Sequence, residues 1–176
     1  GERLPAADLI LIGGGQDRFQ ASVAEALAAL RDAIAASCGD GAVVLGVCAG
    51  FQILGHFHQL PDGRRIPGLG LLAAATIAGS DRMIGKIVVE PHPDTGLAAR
   101  IVGFENHSGR TYLGSDPDLR PLGRVVAGRG NNGRDADEGA FKGNVFGTYL
   151  HGPLLPNNPE LCDLLLRRAL QRRGQS

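Results

Sequence analysis

The chain has 176 residues, of which 43% are hydrophobic and 20% charged, so we expect one globular domain, 1–176, rather than a disordered or fibrous protein. Its 18 Lys and Arg residues balance 18 Asp and Glu residues, whereas nucleic-acid-binding domains usually carry a basic excess, so we expect no nucleic acid as a partner. No run approaches 18 consecutive apolar residues, so we expect no membrane insertion.

The first part of the chain predicts alternating strands and helices. An apolar run at residues 8–12 leads into a triple glycine at 13–15 and predicts a buried strand followed by a sharp turn. Apolar residues recur at helical spacing over residues 18–36, a second strand is predicted at 42–47, and a second helix at 51–57. This order indicates βαβ units and an α/β fold with a mostly parallel sheet. The chain opens at Gly1 without a methionine, and we expect an N-terminal part to be missing.

The second part predicts more strands and one final helix. Strand-like runs lie at residues 84–90, 100–105, 124–127 and 145–150. Residues 131–138, rich in Asn, Asp and Gly, predict an exposed polar loop at a hairpin end. The final helix is predicted to begin with Asn158 as its cap, Pro159 in its first turn, and Glu160 placed to complement the helix dipole.

One of the three cysteines stands in an unusual place. Cys48 follows an apolar strand, precedes a helix, and has Gly46 and Gly50 on either side. This is the pattern of a nucleophile elbow with cysteine in place of serine, and the helix N-terminus favours a thiolate there. The alternative is a buried structural cysteine. Cys38 and Cys162 lack this context, and we interpret both as packing residues.

A cysteine nucleophile needs a base within hydrogen-bond reach. His151 follows a strand in a glycine-rich turn, so we expect its ring at the carboxyl edge of the sheet, where ligands bind in open α/β sheets. The alternative is a surface histidine. His56 and His58 are two residues apart, and the three cysteines contain no CxxC pair. Neither set has the spacing of a zinc site, so we expect no metal site. We also expect a reducing, cytoplasmic setting.

Several stretches together resemble one family. The GxCxGxQ elbow, the late GTYLHGP histidine and the central GFENHSGRT segment are similar to class I glutamine amidotransferases of the cobyric-acid-synthase-like group. The resemblance is most specific to GatD-type glutaminase subunits of lipid II isoglutaminyl synthase, which work with a Mur-ligase-like, MurT-type subunit. It implies a three-layer, flavodoxin-like fold in which a further strand and helix precede residue 1.

The resemblance also implies a mechanism. Cys48 attacks the side-chain amide of L-glutamine, His151 transfers the proton, and a thioester is hydrolysed to glutamate. The oxyanion donors are the backbone N–H groups of Ala49 and Gly14. The implied substrate-binding residues are Arg82, Gln52, Gly14, Asn106 and Ser108. We expect His107 either to contact the substrate or to act as a structural hydrogen bonder.

The chain departs from the family pattern at one position. Most triad amidotransferases place a glutamate two residues after the histidine, but here that position is Pro153. We therefore expect a synthetase partner that receives the ammonia and supplies the carboxylate, and an exposed apolar patch near the mouth of the site. No GxxxxGK[ST] loop is present, so we expect no cofactor in this chain and ATP only on the partner.

The acceptor implied by the resemblance is the D-glutamate of lipid II in peptidoglycan synthesis. The alternative in the same chemistry is the amidotransferase domain of a cobyric acid or cobyrinate a,c-diamide synthase. A rival of a different class is a non-catalytic relative whose elbow cysteine senses redox state. The GFENHSGRT segment and His151 disfavour that rival, because a sensor needs neither a base nor a glutamine pocket.

Overall fold

The computed structural model describes residues 5–15, 26 and 28–174. The strands of this part are β1 (Leu9–Ile12), β2 (Val43–Val47), β3 (Phe57–Gln59), β4 (Arg65–Pro67), β5 (Ala74–Pro91), β6 (Ile101–Leu113), β7 (Gly123–Ala127), β8 (Asp137–Glu138), β9 (Ala140–Lys142) and β10 (Val145–Thr148). The helices are α1 (Arg31–Gly39), α2 (Ala49–Leu54), α3 (Leu154–Asn157) and α4 (Pro159–Arg172). Most of the predicted first helix, residues 16–25 and 27, lies outside the described residues. No described helix is long and apolar enough to cross a bilayer.

The central sheet has the strand order β1-β2-β10-β9, with β1, β2 and β10 parallel and β9 antiparallel. Val44 of β2 packs into a core with residues of α1 and α2, whereas Val43 and Leu45 face a second core with residues of α4. A parallel strand covered on both faces reads as a continuous apolar run, as β2 does. The predicted α/β fold with helices on both sides of a mostly parallel sheet is confirmed.

A second, mostly antiparallel sheet joins the central one in the described part of the chain. Its order is β4-β3-β5-β7-β8, and β6 pairs with β5 along most of its length. Strands β5 and β6 are longer than the sequence predicts. The register shifts between Ala78 and Met83, so residues 79–82 leave the regular ladder. Bulges of this kind redirect side chains next to functional sites, and Arg82 lies in this one.

The predicted exposed loop at residues 131–138 is exposed at its centre, residues 133–135, but the prediction is wrong at both ends. Asn131, Asn132 and Glu138 are buried, with at most 3% of their surface exposed. The Asn131 side chain pairs with both backbone groups of Gly139 at 2.7 and 2.9 Å. These polar side chains are buried because they satisfy backbone groups of neighbouring strands, as buried polar groups must.

Two details at helix ends also differ from prediction. Helix α2 ends at Leu54 rather than near residue 57, and His58 belongs to β3. Asn158 stands at the N-cap position of α4 but makes no capping bond. Its side chain bonds the backbone of Val102 at 2.7 and 2.8 Å and so links the helix to β6. Glu160 accepts hydrogen bonds from two amides of residues 98–99.

Candidate active site

The elbow at Cys48 is tightly folded. Cys48 has φ +54°, a left-handed conformation that costs a non-glycine residue about 1–3 kcal/mol and is concentrated at active sites. A Cβ at Gly50 would collide with the backbone carbonyl of Ile12 in β1. A Cβ at Gly46 would lie 2.6 Å from the Leu54 side chain and 2.7 Å from Gly50, so its obstacle is α2 rather than a neighbouring strand. Both glycines are therefore needed for the helix to leave the sheet at this angle.

Cys48 and His151 follow the ends of the neighbouring parallel strands β2 and β10. The Cys48 N–H donates to the Thr148 carbonyl at 2.8 Å, and the His151 N–H donates to the Phe104 carbonyl at 2.8 Å. A Cβ built on Gly14 would lie 3.4 Å from the Cβ of Cys48 and 3.6 Å from Cε1 of His151. The thiol-bearing residue, the imidazole and the glycine turn after β1 therefore meet at one point on the carboxyl edge of the sheet.

The environment of His151 suits a base. Its Nε2 is buried and has no hydrogen-bond partner among the described residues, while the Asn106 backbone hydrogen-bonds the ring. Burial is the main cause that lowers the pKa of His151, and the Arg82 guanidinium lowers it further. The imidazole is therefore neutral at neutral pH and able to accept a proton.

A cavity of about 550 Å³ opens at this point. It is lined by every site residue predicted from the sequence, together with Gly15 and His107: Gly14, Gly15, Cys48, Ala49, Gln52, Arg82, Asn106, His107, Ser108 and His151. These residues come from the turn after β1, the elbow, the β5 bulge, the middle of β6 and the end of β10. The fold thus gathers one set of side chains from five separate parts of the chain.

Arg82 reaches the cavity across the paired strands β5 and β6. Its Nε donates to the Asn106 Oδ1 at 3.1 Å, and one of its terminal nitrogens donates to the Asn106 carbonyl at 3.3 Å. Asn106 therefore holds both the guanidinium and the His151 ring. A guanidinium fixed in this way offers a planar fork that matches a carboxylate.

A buried polar chain supports the floor of the cavity, and the sequence interpretation missed it. Gln52 Nε2 donates to the Tyr149 hydroxyl at 3.0 Å, which in turn hydrogen-bonds Thr111 Oγ1 at 2.7 Å. The Tyr149 ring stacks on His107 at 3.6 Å between centroids. In the sequence, Tyr149 is marked only by its place in the GTYLHGP stretch, two residues before His151.

His107 is a buried member of this support. It is 2% exposed, and its Nδ1 hydrogen-bonds the Gly109 carbonyl at 2.9 Å. Burial lowers the pKa of His107 to about 4, so the ring stays neutral at physiological pH. This environment favours the structural alternative for His107 over proton transfer.

The remaining cysteines are placed differently from Cys48. Cys38 lies within α1 and packs against the core, and burial raises the pKa of its thiol. Cys162 is half-buried within α4. In the described part of the chain, no three His, Cys, Asp or Glu side chains lie close enough to hold a metal ion.

No carboxylate from the described residues bonds the His151 imidazole. The groups that influence its pKa are Arg82 and the Asn106 backbone. Pro153 lies exposed after the histidine and brings no acid to the ring. The third group of a catalytic triad is therefore missing from this part of the chain.

Two solved structures share the fold at low sequence identity. One is a glutamine amidotransferase, with a TM-score of 0.65, 18% identity, and coverage of 92% of this chain and 79% of that one. The other is PurLQS from Thermotoga maritima, with a TM-score of 0.66, 22% identity, and coverage of 94% and 82%.

Curated relatives are more similar in sequence. The GatD subunit of lipid II isoglutaminyl synthase (glutamine-hydrolyzing) from Staphylococcus aureus is 44% identical over 95% of this chain and 65% of its own length. The Streptococcus pneumoniae GatD subunit is 40% identical over 94% of this chain and 62% of its own. A probable cobyric acid synthase of Methanopyrus kandleri is 40% identical over 70% of this chain and 26% of its own.

The chain therefore spans about two thirds or less of the length of these relatives. The profile of the CobB/CobQ-like glutamine amidotransferase domain matches residues 1–159. Profile, relatives and fold agree, and the chain belongs to the CobB/CobQ-like glutamine amidotransferase family.

Proposed function

We propose that this chain hydrolyses L-glutamine to glutamate and ammonia through a thioester on Cys48. One observation carries the proposal: the strained elbow cysteine and a neutral histidine meet at Gly14, inside a cavity lined by polar groups suited to an amino acid. Redox sensing by Cys48 would need neither His151 nor the Arg82–Asn106 pair beside it.

The proposed reaction has two halves. The Cys48 sulfur attacks the amide carbon of glutamine, and His151 takes the thiol proton and passes it to the departing nitrogen, which leaves as ammonia. Water, deprotonated by His151, then attacks the γ-glutamyl thioester and releases glutamate and the free thiol. Each half passes through a tetrahedral intermediate with a negative oxygen.

The negative oxygen of each tetrahedral intermediate needs hydrogen-bond donors that are in position before the reaction. Ala49 is the first residue of α2, so its N–H lies in the turn whose amides lack intrahelical acceptors. Gly14 lies beside both catalytic residues, since a Cβ built on it would be in van der Waals contact with Cys48 and His151. We propose these two N–H groups as the oxyanion hole, in which one donor contributes about 10²–10³-fold in rate.

We further propose that Arg82 binds the α-carboxylate of glutamine, with Gln52, Gly14, Asn106 and Ser108 as further substrate contacts. The guanidinium lies beside the cavity and is oriented by Asn106. Because hydrogen bonds to charged groups contribute more than neutral ones, this contact should dominate the binding of the amino-acid end of the substrate.

Arg82→Ala should therefore raise KM for glutamine by about 10- to 100-fold. Steady-state glutaminase kinetics measure the effect, and circular dichroism checks the fold. The matched control is Arg100→Ala, which removes an exposed arginine paired with Glu90 at 2.7 Å and should leave KM unchanged. Equal kinetics for wild type and Arg82→Ala would refute the carboxylate role.

We propose that the ammonia passes to a Mur-ligase-like synthetase partner of the MurT type, which would bind ATP and amidate the D-glutamate of lipid II in the cytoplasm. The names of the two GatD relatives support this assignment. No carboxylate of the described residues bonds the His151 ring, and this also supports the assignment. A histidine without an orienting carboxylate is a weaker base, and a partner could supply that group.

An apolar surface beside the site supports the partner as well. We call Ile84, Val102 and Phe104 the outer patch; they are 59%, 38% and 41% exposed on one face of β5 and β6. Ile84 pairs in register with Asn106, and Phe104 bridges to His151. The outer patch therefore adjoins residues of the cavity, where a partner that receives ammonia would dock.

Ammonia release from glutamine tests this proposal, measured with and without a Mur-ligase-like synthetase. We expect slow release by the protein alone and a rise of about tenfold or more in the complex, from a better-oriented base. Ile84→Lys should keep the basal rate and lose the stimulation.

The matched control is Leu166→Lys, which changes an equally apolar residue, 46% exposed, on α4. It should respond to the partner like wild type. Full glutaminase activity of the isolated protein, unaffected by the synthetase, would contradict the partner proposal while leaving glutamine hydrolysis intact.

The alternative function is that of a cobyric acid or cobyrinate a,c-diamide synthase domain. It is favoured by the Methanopyrus relative, which matches over 70% of this chain. The glutaminase chemistry would be the same, and only the acceptor of the ammonia would differ. Stimulation by a cobyrinate-binding synthetase instead of a Mur-ligase-like one would select it.

A further inference from the structure

Glu138 is a buried carboxylate with no part in the reaction described above. It belongs to the short strand β8 and has no exposed surface. Its Oε1 accepts hydrogen bonds from the Thr148 hydroxyl at 2.6 Å and from the Tyr149 N–H at 2.8 Å. Its Oε2 is buried without a hydrogen-bond partner among the described residues. Burying an acid this deeply costs free energy, so we ask what its contacts with the end of β10 contribute.

Those contacts lead to the nucleophile through one residue. The Thr148 carbonyl accepts the Cys48 N–H at 2.8 Å. Thr148 is therefore bonded to Glu138 through its hydroxyl and to the elbow through its backbone. Any movement of Thr148 would be passed to the strained turn at Cys48. A turn in this conformation keeps its geometry only when its surroundings fix it.

The same contacts lead to the base. Thr148 Oγ1, which donates to Glu138, also accepts the Leu150 N–H at 3.0 Å. Residues 148, 149 and 150 are thus tied to the carboxylate directly or through one hydroxyl, and the next residue is His151. Glu138 therefore fixes the last residues of the chain before the catalytic imidazole.

Tyr149 extends this control to the floor of the cavity. Its N–H is held by Glu138, its ring stacks on His107, and its hydroxyl accepts from Gln52. A shift of the Tyr149 backbone would move these cavity-lining side chains together. One carboxylate is thus connected to both catalytic residues and to the support beneath the substrate.

We propose that Glu138 is a positioning residue: by clamping residues 148–150 it sets the placement of Cys48 relative to His151, a role that rests on the proposed glutaminase function. Glu138 touches neither substrate nor reacting atoms in this account. It acts only through Thr148 and Tyr149.

The protonation state of Glu138 bears on which substitution preserves its hydrogen bonds. Burial raises the pKa of Glu138 to about 7, and the nearby Glu105 carboxylate also raises it. The two hydrogen bonds fall on Oε1, so they persist whether or not Oε2 carries a proton. A glutamine side chain offers the same acceptor in the same shape, whereas alanine leaves the Thr148 hydroxyl and the Tyr149 N–H without it.

The test compares Glu138→Ala with Glu138→Gln by two readouts. The first is kcat for glutamine hydrolysis, and the second is the rate at which iodoacetamide alkylates Cys48, which needs no glutamine. We expect Glu138→Ala to lose about 100-fold in kcat, as misplacement of a catalytic group does, and to alkylate more slowly. Glu138→Gln should recover most of both.

Asn158→Ala is the control for stability alone. Asn158 is 5% exposed and bonds the backbone of Val102 and Leu154, so its loss should lower Tm and leave kcat unchanged. Should Glu138→Ala fail to fold, Thr148→Val removes the linking hydroxyl with little change of shape and should show the same two losses.

The proposal is overturned if folded Glu138→Ala, or Thr148→Val in its place, keeps wild-type kcat and alkylation rate with only a lower Tm. It is also overturned if Glu138→Gln is as impaired as Glu138→Ala. A wild-type protein that does not hydrolyse glutamine would refute the proposed function instead, and the alkylation rates would still decide the role of Glu138 in positioning the thiol.

Discussion

Cys48→Ala is expected to abolish glutamine hydrolysis. Removing the nucleophile of a triad hydrolase costs on the order of 10⁶-fold in kcat, and no other thiol can substitute in this chain. Cys38 packs against the core, and Cys162 lies within α4 on another part of the molecule. Ammonia release at saturating glutamine measures the loss.

The control for this prediction is Cys162→Ala, which should keep the wild-type rate. A glutamine-analogue electrophile such as a diazo-ketone should label Cys48 alone, as read by peptide mass spectrometry. Labelling at Cys38 or Cys162, or undiminished turnover in Cys48→Ala, would remove Cys48 from the mechanism.

His151→Ala is expected to lower kcat/KM by about 10²–10⁴-fold, the usual contribution of a positioned general base. The variant loses both the acceptor of the thiol proton and the donor to the leaving ammonia. His56→Ala, which removes an exposed histidine, should have no effect. A His151→Ala variant with wild-type kcat/KM would assign the base to another group.

The pH dependence of the wild-type protein follows from the same residue. Burial and the Arg82 charge hold the pKa of His151 below its ordinary value of 6.5, so the neutral, active form persists at lower pH. The acid limb of kcat/KM against pH should therefore lie below 6.5. In Arg82→Ala this limb should move upward, because one of the two causes that lower the pKa is gone.

The sequence was sufficient to predict the elbow and the central sheet because their determinants are local. Gly46 and Gly50 flank Cys48 within one turn, and β2 is a continuous apolar run because it is buried on both faces. The gathering of Arg82 and Asn106 with Cys48 was expected only from family resemblance. Nothing in the spacing of these residues predicts the β5–β6 pairing that joins them.

The burial of Asn131 and Glu138 could not be predicted from their neighbours. A stretch rich in Asn, Asp and Gly has the composition of a surface loop. Its ends are part of the interior because Asn131 bonds the Gly139 backbone and Glu138 bonds Thr148 and Tyr149. The role of Asn158 was misjudged for a similar reason. Its position is that of a helix cap, but the backbone of Val102 in β6 competes for its side chain.

The most direct test of the central claim is to trap the acyl-enzyme. The protein would be mixed with glutamine, quenched in acid within the first turnovers, and analysed by intact-protein and peptide mass spectrometry. We predict a glutamyl adduct on the peptide that contains Cys48, absent from Cys48→Ala and discharged by hydroxylamine. Steady hydrolysis of glutamine without any adduct on Cys48, together with turnover by Cys48→Ala, would contradict the account.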